Sequence, residues 1–547
     1  MNFSKKQLNI LLLLAGILLF IPFLGSVHLF DWDEINFAEC AREMIVTHNY
    51  SLVQINFLPF WEKPPLFIWM QVLAMKTFGI NAFAARFPDA ICGIITLLLV
   101  FNIGEKLYDK NFGLLWALAF AGSFLPHFYF KSGIIDPWFN LFIFIGFYFF
   151  LLEINQQSKN NFSKNLFFSA LFIGFAIMTK GPVGLLIFGL CAIVFWIKNK
   201  MTPLVSFPQI IVYSIVLLTT AGSWFIYLIV SGHFLLIKEF IDYQIRLLQT
   251  GDAGHSGPFY YHFVVLLIGC FPASVLGIRA FKKNNFDTPF QKHIKTGMLI
   301  LFWVVLILFS IVKTKIIHYS SLCYFPLTFL AAYCACKIIR HELEWKKWMT
   351  KLLLFISGIL GLALLILPFI NYFKAQIIAS GIIKDPFANA NLQANVHWSG
   401  FEFLIGLFFI LGILVSLYLI RKNNFSKGIP ALFIVTLITV NLSAIVIAPK
   451  VEQYSQNAAI EFYESLQHKD CYVETLGFKS YAYLFYSDKQ PQQNPKNTDV
   501  DWLLKGTIDK NAYFVCKIND ASQYENKFPQ LKELYRKNGF VFLEREK

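Results

Sequence analysis

Two short polar stretches hold the residues best suited to chemistry. Asp31-Trp32-Asp33-Glu34-Ile35-Asn36-Phe37-Ala38-Glu39 follows the first apolar run, and Glu62-Lys63-Pro64-Pro65 comes soon after. Carboxylates such as Asp33 and Glu34 beside a bilayer can take a proton from a hydroxyl or ligate a metal. They would equally cap the following helix and favour its dipole. Lys63 offers a point charge for a phosphate. Glu62 can ligate a cation, or simply pair with Lys63 in a surface contact worth at most about 1 kcal/mol.

Further along, Asp136-Pro137 opens an apolar run, and Thr179-Lys180-Gly181-Pro182 interrupts another. Lys313-Thr314-Lys315-Ile316-Ile317-His318-Tyr319 puts two lysines, an imidazole and a phenol at the mouth of a third. His255 lies in the glycine-containing stretch Gly251–Pro258. Each has a plainer use. Asp136-Pro137 suits a helix start, the lysines suit cations reaching for the interface, and a lone histidine is commonly structural. Together they place cations and acids on one face of a membrane. Clustered cations suit a diphosphate or phosphodiester, and paired acids suit activation of a nucleophile. That combination fits transfer of a group from a lipid phosphate carrier.

The composition defines the scaffold. The 547 residues are 56% hydrophobic and 18% aromatic, with 61 Phe, and the mean hydropathy is +0.56. No soluble core hides that many apolar side chains, so the chain is expected to be a polytopic α-helical membrane protein. Apolar runs give about thirteen spans, near 8–29, 82–104, 112–130, 137–153, 164–180, 183–197, 207–230, 259–278, 296–312, 319–337, 350–371, 399–420 and 429–448. The run from Leu8 to Leu24 follows Lys5 and Lys6 and lacks a small-residue cleavage site, so it is expected to stay as the first helix.

With Lys5 and Lys6 inside, nearly all inside loops are rich in Lys and Arg, among them Arg279–Lys295, Lys337–Lys351 and Arg421–Lys427. One topology thus satisfies the positive-inside rule, and it puts every motif above on the outer side. The net charge of +14 is read as this loop bias. No long basic tract or base-stacking module points to nucleic acid.

Residues 1–448 are expected to form the membrane domain, with the site motifs in the loop 31–81. Ile35, Ala38, Ala41 and Ile45 recur at helical spacing opposite Glu39 and Glu43, which predicts an amphipathic helix on the membrane surface; Leu66 to Phe78 predicts a second. Residues 449–547 are polar and are expected to form a small outer α/β domain, with strands at Cys471–Gly477 and Asn511–Ile518 and helices at Asn457–Gln467 and Gln530–Lys537. None of the nine cysteines forms a CxxC pair, and Cys471 and Cys516 read as free thiols rather than a disulfide. No internal repeat is evident.

The ordered motifs resemble the ArnT-like branch of the GT-C glycosyltransferases, related to protein O-mannosyltransferases. The resemblance rests on Asp33-Glu34 with Ala41-Arg42-Glu43, Glu62-Lys63-Pro64-Pro65, Ala85-Arg86-Phe87-Pro88, Asp136-Pro137, Lys180-Gly181-Pro182, His255 with Pro258-Phe259-Tyr260-Tyr261, and Lys313-Thr314-Lys315 with His318-Tyr319. It implies the GT-C fold in a bacterial inner membrane, an active site facing the periplasm, a C-terminal periplasmic domain, a polyprenyl-phosphate sugar donor and inversion on transfer. By motif it implies Asp33, Glu34 and Asp136 as catalytic acids. Lys63, Arg86, Lys180, Lys315, His318 and Tyr319 would meet the donor phosphate, and Glu62 and His255 a divalent metal (Zn, Mg or Mn). It implies no nucleotide cofactor.

Where ArnT itself has an arginine shortly after its Asp-Glu pair, this chain has Asn36. The resemblance therefore carries the reaction class, with a lipid A, other glycan or protein acceptor left open. Two other classes also need cations beside a lipid phosphate. One is a glycan polymerase or ligase using a diphosphate carrier. The other is a transporter of a polyprenyl-linked lipid, which would tend to show inverted repeats and acids within its spans.

Overall fold

The computed structural model describes residues 3–156, 162–249, 256–281 and 287–547. Among these, eight helices are long and apolar enough to cross a membrane. Two bent pairs, Lys110–Ala121 with Phe124–Lys131 and Tyr261–Gly269 with Ala273–Ala280, bring the number to ten if each is one span. The expected count of about thirteen spans is not reached by this measure. Lys5–Phe20, Lys164–Lys180 and Val183–Lys198 coincide with expected spans but hold 16, 17 and 16 residues. At about 1.5 Å per residue such helices rise roughly 24 Å, short of a hydrocarbon core of about 30 Å.

Asp136–Gln156 and the span Ile317–Ile339 are the most enclosed. Asp136–Gln156 is apolar on all sides, as a helix surrounded by other helices must be. Its Phe144 stacks on Phe325 with ring centroids 4.4 Å apart. These two helices carry Asp136 and His318 at the same end of the bundle, which fixes where the site forms.

The first long loop differs from its expected form. Asp33–Thr47 is a helix, but nearly every residue from Glu34 to Met44 is buried, so it does not lie on a membrane surface with one wet face. A hairpin of β1 (Gln54–Ile55) and β2 (Leu58–Pro59) follows, then the helix Leu66–Phe78. The face of Asp33–Thr47 that bears Glu39 and Glu43 is covered by the C-terminal domain.

That domain has a four-stranded sheet in the order β3-β4-β6-β5, with β3 (Tyr472–Leu476), β4 (Ala512–Lys517), β5 (Lys532–Lys537) and β6 (Phe540–Arg545). β3 and β4 are parallel, and the other pairs are antiparallel. Asn457–Ser465 is helical as expected, and its Phe462 ring sits 4.5 Å from that of Phe542. The helix expected over Gln530–Lys537 is instead strand β5. Asn538 and Gly539, with φ of 49° and 81°, make the left-handed turn that joins it to β6. Asn-Gly is the favoured pair for such a hairpin, and this local signal outweighs the helical spacing before it. All nine cysteines are free, Cys471 and Cys516 among them.

A buried ion pair ties the domain down. Arg42 donates to both Glu39 carboxylate oxygens at 2.7 Å, to Asp488 Oδ1 at 3.1 Å and to the Lys489 carbonyl at 2.8 Å. Both Arg42 and Glu39 are fully buried. Burial, and then the Glu39 charge, push the Glu43 carboxyl well above its ordinary range, and Glu43 also accepts from the Phe57 amide. Removing one partner of such a pair strands the other, at about 3–5 kcal/mol. Arg42→Ala is therefore expected to destabilise the protein by about 3 kcal/mol or more and to loosen the tail domain. Limited proteolysis after residue 449 and thermal unfolding in detergent check this, and an unchanged cleavage pattern and midpoint would refute it.

Candidate active site

Asp33 is the first residue of its helix. Trp32 occupies the N-cap, and the Asp33 side chain caps nothing. It is free to turn toward the bundle, where His318 Nε2 lies 3.1 Å from Asp33 Oδ2. The same nitrogen is 3.8 Å from Asp136 Oδ2. Asp136 opens its own helix, and its Oδ1 accepts from Lys180 Nζ at 2.6 Å. Lys180 ends the helix Lys164–Lys180, with Gly181 at φ 91° behind it. A Cβ at Gly181 would stand 2.5 Å from the Phe240 ring, so only glycine lets the next outer helix approach. The ammonium of Lys180 faces the Tyr319 ring at 5.1 Å. An imidazole bridging two carboxylates, with a lysine behind one of them, thus joins four segments remote in sequence.

Asp33, Lys180, His318 and Tyr319 line a cavity of about 720 Å³ together with Glu62 and Lys63. A narrower slot of about 180 Å³ shares Lys63, Lys180 and Tyr319 with it. Asp136, Asn140 and Gln244 also line the slot, whose remaining wall is apolar, with Phe139, Leu186, Ile187 and Phe309. Asp33 keeps 36% of its side-chain surface open, enough for a substrate to touch it, whereas Asp136 keeps 3%. Lys63 Nζ sits 5.0 Å from the Tyr243 ring centroid and pairs directly with no carboxylate among the described residues.

Burial acts to raise the Asp33 carboxyl. The His318 hydrogen bond and the charges of His318, Lys63 and Lys180 outweigh it and hold the group at about 2. Burial pulls the Lys63 ammonium below its ordinary value, opposed by Glu62. The pocket is thus a balance of mutually screening charges into which an anion can insert.

Not every expected residue faces the cavity with free atoms. Glu34 and Arg86 are paired with each other. Arg86 donates to Glu34 at 3.0 and 2.7 Å, and to the carbonyls of Leu24, Val27 and His28. Glu34 also accepts from the amides of Phe30 and Gly133. Lys315 donates to the carbonyls of Phe309, Ser310 and Val312, closing the end of the helix Pro289–Ile311 rather than reaching the cavity. His255 lies outside the described residues. Among the described residues no group of three or more His, Cys, Asp or Glu side chains is placed to hold a metal ion, Glu62 in the cavity included.

Tyr243, Arg246, Lys479 and Asn36 also line the cavity, outside the set of expected site residues. Tyr243 and Arg246 come from a helix, Phe234–Gln249, in what the sequence reading treats as loop. Leu236, Phe240 and Tyr243 recur there at helical spacing, a signal that was available. Lys479 reaches the cavity from the C-terminal domain, a long-range placement with no local signature. Asn36, 8% exposed, lines the cavity with its side-chain oxygen unpartnered.

Comparison with known proteins bears on the fold and on distant family relation. Residues 62–227 match a family model described as dolichyl-phosphate-mannose-protein mannosyltransferase. The chain is 27% identical over 343 residues to an undecaprenyl phosphate-alpha-4-amino-4-deoxy-L-arabinose arabinosyl transferase of Enterobacter sp. (strain 638), covering 61% of each. It is 24% identical to the enzyme of the same name from Wigglesworthia glossinidia brevipalpis, over 99% of this chain and 97% of that one. The fold matches the crystal structure of ArnT from Cupriavidus metallidurans bound to undecaprenyl phosphate, with a TM-score of 0.78 at 16% identity, covering 99% and 98% of the two chains. The chain is thus a multi-pass membrane protein related by fold and distant sequence similarity to these membrane glycosyltransferases.

The charge balance around Asp33 is open to a direct check. His318→Gln removes the hydrogen bond and charge that oppose burial, so the Asp33 carboxyl is expected to titrate well above about 2. Infrared difference spectra of the carboxyl band, with Asp33→Asn as the assignment control, measure it. An Asp33 band that titrates alike in wild type and variant would refute the balance described.

Proposed function

We propose that this chain is an integral-membrane glycosyltransferase that moves a sugar from a polyprenyl-phosphate donor to a lipid, glycan or protein acceptor at the periplasmic face of a bacterial inner membrane. The observation that carries this reading is the junction of a polar cavity with a mostly apolar slot at Lys63, Lys180 and Tyr319. A polyprenyl-phosphate sugar is divided in the same way into apolar chain, one phosphate and polar head. The slot suits prenyl units, the lysines suit the phosphate, and the cavity suits the sugar beside Asp33. Basic loops at the opposite end of the bundle support the outward orientation.

In the proposed reaction the acceptor oxygen bonds to the anomeric carbon as the bond from that carbon to the phosphate oxygen breaks on the opposite face. The acceptor proton passes to Asp33. The donor phosphodiester, a monoanion, leaves as a phosphate monoester with an additional charge. That charge grows beside Lys63 and Lys180, where fixed cations stabilise the transition state more than the ground state. Asp136 positions Lys180, and His318 positions Asp33. Glu34 and Arg86 position the loop that carries Asp33.

Asp33→Asn is expected to lower transfer by about 10²–10⁴-fold while purified protein retains the lipid donor. Lys63→Ala is expected to weaken donor binding first. The test compares, by mass spectrometry, the envelope glycolipids and glycoproteins of a deletion strain carrying wild type or Asp33→Asn. A sugar restored only by wild type supports transfer and identifies the acceptor. Full restoration by Asp33→Asn removes Asp33 from the chemistry, and an unchanged glycan profile with a lipid carrier accumulating inside indicates a transporter.

A further inference from the structure

A second large cavity, about 940 Å³, lies at the other end of the bundle. The span Ile317–Ile339 sets the separation. It begins beside His318 in the active-site cavity and runs 23 residues to its far end, next to His341 on the rim of this groove. The groove runs between the start of the helix Lys347–Ile366 and the end of the helix Phe403–Arg421.

Three cations line it, Lys347, Lys351 and Arg421, and among the described residues none has a hydrogen-bond or ion-pair partner. The one carboxylate in the lining, Glu344, is paired with Lys346. Trp345 donates to Thr350 and stacks over Phe425 with centroids 6.5 Å apart, forming a rigid aromatic wall. Tyr418, 59% exposed, stands on the opposite helix. Toward the middle of the bundle the lining turns apolar at Leu354 and Leu414, which are 41% and 47% exposed.

We propose that this groove binds one anionic glycerophospholipid, its phosphodiester head group held by Lys347, Lys351 and Arg421 and an acyl chain laid along Leu354 and Leu414. The charge complementarity argues for the occupant. Loop cations that only set topology need no groove. Here three unpaired cations converge on a cavity whose aromatic wall sits at head-group depth and whose apolar floor points toward the acyl region. A zwitterionic lipid would bring its own cation against this cluster, and a free phosphate would leave the apolar floor empty. The site is independent of the transfer chemistry and needs no donor or acceptor.

The test uses the full chain purified in phosphatidylcholine nanodiscs. Dioleoyl-phosphatidylglycerol is titrated in, and native mass spectrometry counts retained lipid while a brominated phosphatidylglycerol quenches tryptophan. One saturable phosphatidylglycerol is expected. The variant Lys347→Gln/Lys351→Gln/Arg421→Gln is expected to weaken it by roughly a hundredfold, at about fivefold per cation. The control Lys106→Gln/Lys164→Gln/Lys200→Gln, which removes charges from the same rim, should leave it unchanged. Leu414→Trp, which fills the apolar floor without changing charge, should also weaken binding. Equal loss in the control, equal retention of phosphatidylcholine, or full competition by inorganic phosphate would overturn the proposal.

Discussion

Arg86 is 4% exposed between the end of the first helix and the loop that carries Asp33. All five of its N–H donors are engaged: two on Glu34 and three on the carbonyls of Leu24, Val27 and His28. Glu34 in turn holds the Phe30 and Gly133 amides. The chain leaving the first helix, the start of the Asp33–Thr47 helix and the segment before Asp136 are therefore fixed to one another through two side chains. Such a pair adds little net stability over apolar packing, because both ions are desolvated. What it supplies is position. Asp33 adjoins Glu34 in sequence, and Ile134 and Ile135 beside Gly133 lead into Asp136, so the carboxylates that meet His318 are placed by this one contact.

The tail domain uses the same device on the next turns of the same helix. Arg42, paired with Glu39, pins the segment around Asp488 and Lys489. The domain in turn brings Lys479 to the cavity, 5.3 Å from the Trp32 ring. One helix thus carries a row of buried charges that joins the membrane bundle, the cavity and the C-terminal sheet. This is also why it does not lie on a membrane surface: its polar face is fully used by protein.

The residue types that matter here were legible in the sequence, and their partners only in part. Asp33, Lys63, Asp136, Lys180, His318 and Tyr319 come together as charged or aromatic groups at the ends of apolar runs, where burial without purpose is costly. Glu34, Arg86 and Lys315 look alike by the same criterion, yet their hydrogen bonds go to backbone and to each other. Whether a buried cation serves a ligand or a carbonyl depends on which chain segments end nearby, and that is tertiary information. Lys315 is the exception, since a lysine just past a helix end has the carbonyls of that helix within reach. The Asn538-Gly539 turn and the periodic Phe234–Gln249 helix were local signals, overridden by a helical reading in the first case and a loop reading in the second. Lys479 had no local signal for its role in the cavity wall, whereas Asn36 lies within the polar stretch that opens the first helix after the apolar run.

The low position of the Asp33 carboxyl bears on the proposed reaction. A carboxylate held at about 2 is a weak base for the hydroxyl proton that the proposed reaction would move. Two of the groups that hold it down, Lys63 and Lys180, are those at the mouth of the apolar slot. A phosphate bound there draws their field toward itself, and burial, which acts to raise Asp33, gains weight. Under the proposed reaction, donor binding would raise the basicity of Asp33 while placing the leaving group against the cations. In that reaction the same two lysines would couple its two halves. A donor at the slot would relieve the part of this hold that Lys63 and Lys180 supply, while the His318 hydrogen bond would go on orienting the carboxylate.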